Sequence, residues 1–147
     1  MRLRIAAVFS VLLLFVMTCP GQQQKSRTVD EVVRDYVKLY TRATLPEWKR
    51  LFHPAFTAAH AANDGSIRVR NLEEFYRSQE GYFASGRAIS ERLENVHIEQ
   101  GRRIARVTAD FILTEDKEEN RGKLGLHLVE GQEGWRIVAV VFSYDKP

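Results

Sequence analysis

The chain reads as α+β. Three observations lead there: the helix-start signals all fall before residue 75, the hydrophobic period switches to two from Ala88 onward, and the chain ends on a run that is apolar on both alternating faces. That run is Gly134-Trp135-Arg136-Ile137-Val138-Ala139-Val140-Val141-Phe142-Ser143-Tyr144-Asp145. Trp135, Ile137, Ala139 and Val141 share one face by parity, and Val138, Val140 and Phe142 share the other. Only a strand covered on both sides tolerates such a pattern, so a central place in the sheet is expected.

The first residues form a different kind of segment. Arg2 and Arg4 precede an apolar run over residues 5–17, followed by Thr18-Cys19-Pro20-Gly21 and a polar stretch. This is the plan of a secretory signal peptide over residues 1–21, cleaved after Gly21, with 22–27 as a flexible tether and 28–147 as the folded domain. The expected location is therefore exported, periplasmic or secreted. Lipidation at Cys19 and an uncleaved anchor are the alternatives.

Cleavage after Gly21 also removes the only cysteine, leaving no disulfide, thiolate metal site or thiol nucleophile. It lowers the formal charge from +3, so the basic balance argues weakly for nucleic acid or an anionic membrane. About 125 residues remain, enough to bury roughly two-thirds of their unfolded surface.

Thr28-Val29-Asp30-Glu31 is a capping box, and Val29, Val32, Val33, Tyr36, Tyr40 and Ala43 come after it at helical spacing. Thr44-Leu45-Pro46-Glu47 predicts a second, short helix with Leu45, Trp48, Leu51 and Phe52 on its buried stripe, ended by His53-Pro54. Residues 55–62 read as a strand, Asn63-Asp64-Gly65 as a tight hairpin turn and 67–70 as an edge strand, with Arg68 and Arg70 as solvated edge charge. Asn71-Leu72-Glu73-Glu74 starts a third helix carrying Phe75, Tyr76, Tyr82 and Phe83 and stopping near Gly86.

Four long strands complete the chain. Residues 91–99 carry Leu93, Val96 and Ile98 as apolar elements. Residues 104–113 place Ala105, Val107, Ala109, Phe111 and Leu113 on one face and Arg106, Thr108 and Asp110 on the other. A charged, mobile connection is expected at 115–120, then a strand with Leu124, Leu126 and Leu128 inward and His127 outward, then the terminal strand.

This order resembles the nuclear-transport-factor-2-like (SnoaL-like) superfamily. Leu51-Phe52-His53-Pro54-Ala55-Phe56, and Gly134-Trp135-Arg136-Ile137-Val138 with Val141-Phe142 after it, are most similar to its lumazine-binding branch. The resemblance implies a cone-shaped, strongly curved antiparallel or mixed sheet wrapped around three N-terminal helices and enclosing a blind pocket. It also implies dimerisation through the outer surface of the sheet.

No glycine-rich phosphate loop, nucleophile elbow or metal-spaced histidine pair occurs, so neither metal nor cofactor is expected. His53 reads as a helix-end cap for carbonyls, and Asp110 as a surface carboxylate paired with a neighbouring strand's cation or, alternatively, a general base. The ligand-binding candidates are Tyr36, Tyr40, Trp48, Phe52, His60, Phe75 and Tyr76. Their stripe is either plain core or pocket wall, since in a cone these coincide. His60 sits among alanines that leave open volume. The leading functional expectation is an exported domain that binds a small hydrophobic or aromatic ligand, homodimeric, with no nucleic-acid or membrane partner. A cofactor-free isomerase, dehydratase or cyclase, and a dimeric interaction module with a vestigial pocket, are the alternatives.

Overall fold

A computed structural model describes residues 26–145. The expected leader over 1–21, with Cys19, and most of the expected tether lie outside the described residues. The elements run α1 (Val29–Lys38), α2 (Leu45–Lys49), β1 (Phe52–Ala61), β2 (Ile67–Asn71), α3 (Leu72–Ala84), β3 (Ile89–Gln100), β4 (Ile104–Glu115), β5 (Glu118–Gly131) and β6 (Gly134–Tyr144). No helix among the described residues is long and apolar enough to cross a membrane.

The strands form one six-stranded sheet in the order β2-β1-β6-β5-β4-β3, open at β2 and β3. All neighbours are antiparallel except β1 and β6, which run parallel. The C-terminal strand is central, as expected, but it is not covered on both faces: Val141 stands 49% exposed on the outer side. The helices lie on the inner face of the sheet, α1 against β3 and β6 and α3 against β1 and β2, giving the open cone expected for this α+β chain.

Two of the three helix starts are capping boxes. Thr28 Oγ1 accepts from Glu31 N at 3.2 Å while Thr28 N donates to Glu31 Oε2 at 2.8 Å. Asn71 and Glu74 repeat the pair at 3.0 Å in both directions. The third expected box does not form. The Thr44 hydroxyl donates instead to Leu39 O at 2.9 Å and makes no cap on α2. The same carbonyl accepts Thr41 N at 2.8 Å, and this competition ends α1 at Lys38, so Tyr40 and Ala43 lie beyond the helix.

Several other expectations are corrected. Leu51 and Phe52 belong to no helix: Ile137 N donates to Leu51 O at 2.9 Å, and that pairing draws the chain into the sheet from Phe52 onward. His53 caps no helix carbonyl, because its Nδ1 accepts Ala55 N at 3.1 Å. The segment 115–120 is not a mobile connection but a two-residue turn, Asp116-Lys117, between the paired Glu115 and Glu118, with Asp116 at φ 55°.

Two bulges overturn simple parity. In β3 two residues, Asn95 and Val96, oppose Ala109 alone, and Asn95 adopts φ 50°. Val96 is thereby turned out to 43% exposure. In β6, Leu128 faces Ile137 and His127 faces Ala139, leaving Val138 unpaired. Trp135 and Ile137 are buried before this bulge; after it Val140 is buried while Val141 is exposed. The inward set is thus Trp135, Ile137, Val140, Phe142 and Tyr144, not either face read from alternation.

Candidate functional site

The sheet and helices enclose a cavity of about 70 Å³. Tyr36, Tyr40 and Trp48 close one wall; Phe75 and Gln79 of α3 contribute a second; Glu91, Phe111, Leu113, Leu124, Val140, Phe142 and Tyr144 rise from the sheet. The wall is built by ordinary aromatic packing. Trp48 lies 5.7 Å from Tyr36, 5.2 Å from Tyr40 and 5.8 Å from Phe75 between ring centroids. Its indole Nε1 donates to Tyr36 O at 2.9 Å, satisfying one carbonyl that the end of α1 leaves open.

Of the seven residues expected to bind a ligand, Tyr36, Tyr40, Trp48 and Phe75 line this cavity. Phe52 lies behind the wall, 4.5 Å from Trp48 and 4.7 Å from Phe56, as core. Tyr76 is outside it, with Lys49 Nζ 4.6 Å from its ring centroid. His60 is half-buried on the inner face near the mouth. Its ring stacks on Phe142 at 4.6 Å with an interplanar angle of 2°, and meets Tyr144 edge-on at 5.7 Å. It borders a second, more open groove with Asn63, Tyr82, Asn120, Arg121 and Tyr144, so Tyr144 stands between cavity and groove. Desolvation, then the cations Arg68 and Arg70, hold the His60 imidazole below its ordinary pKa, which keeps it neutral at pH 7.

The residue that sequence reasoning missed is Glu91. It stands on β3 opposite Leu113, two residues before Leu93 and hence on the same, inward face. Its carboxyl enters the cavity wall, and no hydrogen-bond or ion-pair partner is present among the described residues. Burial pushes it up to about 7. The residue as a whole is only half-buried, because the cavity opens toward solvent. The parity with Leu93 was the available signal.

Three tyrosines surround this carboxyl. Burial first, and the Glu91 charge second, raise the hydroxyls of Tyr36 and Tyr40 far above their ordinary range and that of Tyr144 to about 12. All three therefore remain protonated donors at physiological pH. Tyr40 donates to Gln79 Oε1 at 2.5 Å, and Gln79 Nε2 donates to Ser78 Oγ at 3.1 Å. The hydroxyls of Tyr36 and Tyr144 have no protein partner among the described residues. The arrangement can exchange one proton at Glu91 and offer two phenolic groups to a bound molecule.

Asp110 takes no part. It lies on the other face of β4, bonded to Lys123 Nζ and, at 2.7 Å, to Asn95 Nδ2, and these hydrogen bonds hold its carboxyl below the usual range. His127 is exposed, also on the outer face. Among the described residues no cluster of His, Cys, Asp or Glu suits a metal ion.

Comparison with known proteins supports the same frame. No curated protein matches the chain. Among solved structures, the chain is similar to Bd1075 of Bdellovibrio bacteriovorus, with TM-score 0.65 and 13% identity over 80% of this chain and 39% of that one. It thus spans about two-fifths of that protein. A Mycobacterium tuberculosis protein of unknown function gives TM-score 0.67 and 12% identity over 81% of this chain and 70% of that one. A candidate dehydratase of the NTF2-like family from Streptomyces avermitilis gives 0.64 and 14% over 81% and 94%. At such identities the likeness carries the fold alone. The model of the SnoaL-like domain matches residues 29–146, from the first residue of α1 to the end of the terminal strand and beyond, and the chain belongs to that family.

Proposed function

We propose that this domain binds a small, largely apolar organic molecule in the cone, with Glu91 as its proton-exchanging anchor. One observation carries the reading: a single carboxyl, without a protein partner among the described residues, enters an aromatic cavity. A carboxyl desolvated without compensation costs stability, and such a group is retained where a bound molecule repays that cost. The cavity alone has room for only a few water-sized groups, so a larger ligand would extend past Tyr144 into the open groove.

Native mass spectrometry of the protein as purified, beside a Leu124→Phe variant that narrows the cavity, tests this. A small mass retained by wild type and lost from the folded variant supports the reading. A wild type that retains nothing, and binds no member of a fragment set by ligand-observed NMR, overturns it in favour of an interaction module.

A second reading is a cofactor-free acid–base enzyme. It is favoured by the position of Glu91 near 7, where a carboxyl both accepts and returns a proton, with Tyr36 and Tyr144 as donors to a developing oxyanion. The Streptomyces protein of similar fold is itself named as a candidate dehydratase. Glu91-dependent deuterium exchange α to the carbonyl of a small ketone would establish it; exchange equal in Glu91→Gln would exclude it. Export through residues 1–21 is part of the proposal and rests on the leader pattern alone; the intact mass of the protein recovered from its host decides it.

A further inference from the structure

We infer that the cavity is built for a protonated amine: a small organic cation whose ammonium meets the Glu91 carboxylate while its apolar body lies among the aromatic rings. The inference rests on the binding reading above and names the ligand class.

Four features of the cavity carry it. First, among the described residues Glu91 is the only carboxylate in the lining, and no Lys, Arg or His is there to neutralise it. The groups that face it are the phenols of Tyr36 and Tyr40 from α1 and the turn after it, Tyr144 from β6, the uncharged Gln79 from α3 and Leu113 across β4. Glu115 acts from farther off on Tyr40 and Tyr144 and adds negative, not positive, potential. Second, the rest of the lining is dominated by aromatic rings, which attract a cation through their quadrupoles, most strongly once it is desolvated. Third, the free polar atoms match an ammonium. Its N–H groups need acceptors, and the carboxylate and the Tyr36 and Tyr144 oxygens are acceptors without a protein partner among the described residues. Fourth, a neutral ligand leaves Glu91 either ionised and unpaired or obliged to keep its proton, whereas a cation replaces the water it displaces. An anionic ligand would meet the carboxylate and the rings of Trp48, Phe75, Phe111 and Phe142 with no counter-charge.

The consequence is proton release on binding. An amine that ionises Glu91 binds more tightly as pH rises, because less free energy is spent removing the proton. With Glu91 titrating near 7, affinity should climb about tenfold between about pH 6 and about pH 8 and then level off.

The test is calorimetric titration with benzylamine, its neutral isostere benzyl alcohol, and benzoate, at about pH 6 and about pH 8, in two buffers of different ionisation enthalpy. Wild type and Glu91→Gln are compared, with thermal unfolding confirming that the variant is folded. The inference predicts benzylamine above benzyl alcohol above benzoate, the tenfold rise, proton release at the lower pH, and loss of all three signatures in Glu91→Gln. Benzyl alcohol binding as tightly as benzylamine, or pH-independent amine binding, overturns the inference and leaves the pocket reading intact. Binding of none of the three probes overturns the inference, and the pocket reading falls with it only where wild type also retains no small mass and binds no member of the fragment set.

Discussion

The ring of Phe111 on β4 lies directly over Gly122, its cross-strand partner on β5. A Cβ built at Gly122 would stand 2.5 Å from Phe111 Cε1 and Cζ and closer still to the Ser143 carbonyl oxygen of β6. Phe111 fills the space that a side chain would take, and from there its ring reaches 5.2 Å from Tyr144 and lines the cavity. The absence of one methyl group on β5 thus sets where an aromatic wall residue stands on β4.

Gly122→Ala should therefore destabilise the fold by about 1–3 kcal/mol, because the backbone oxygen of Ser143 cannot yield and the Phe111 ring must move. Gly125→Ala is the control, since its Cβ would meet only Val141 O at 3.8 Å. Urea denaturation of both variants checks this; equal midpoints would refute the packing argument.

Glu91 should make stability pH-dependent in an unusual direction. Its folded pKa, about 7, lies above the ordinary 4.5. Between these values the folded state keeps a proton that the unfolded chain has lost, so stability falls as pH rises from about 4.5 to about 7 and is flat beyond. The loss is at most about 3 kcal/mol, and less to the extent that water enters the cavity. Glu91→Gln should erase that slope and stand above wild type at pH 7. A slope unchanged in the variant would remove Glu91 from the account.

Trp48→Phe keeps much of the ring packing and deletes the indole donor to Tyr36 O. The expected cost is about 1–3 kcal/mol, the range for leaving a buried acceptor unsatisfied, with the loss of ring volume added. Trp48→Ala should cost about 3–5 kcal/mol. Chemical denaturation distinguishes the two, and a Phe variant as damaged as the Ala variant would assign the indole N–H most of the effect.

The helix caps separate by their bonds. Thr28→Ala and Asn71→Ala should each cost about 1 kcal/mol, since each removes an acceptor from an otherwise open N–H. Thr44→Ala should instead release Leu39 O and loosen the turn that carries Tyr40. Amide hydrogen exchange would show faster exchange at residues 41–44 in that variant and no change at the first turn of α2.

Much of this molecule is legible without coordinates. The capping boxes at Thr28 and Asn71, the period-two pattern of β4 and the greasy terminal strand depend on nearest neighbours along the chain, and local chemistry suffices for them. The same holds for the inward direction of Tyr36, Tyr40, Trp48 and Phe75, but a stripe that faces inward reads equally as packed core or as pocket wall, and only the cavity tells the two apart. Glu91 is half-legible: its parity with Leu93 points inward, but a carboxylate on a strand this rich in charge reads as solvated.

The amino-acid sequence by itself determined the class of fold, the central place of the last strand and the aromatic character of the interior. Tertiary structure decided which faces those strands show. The bulges at Asn95-Val96 and Val138 each insert one residue, and one residue is enough to exchange inside for outside in a strand. That exchange brings Phe142 and Tyr144 into the cavity and turns Val96 out. It arises from pairing between strands and from the curvature of the sheet, and no pattern along a single strand contains it.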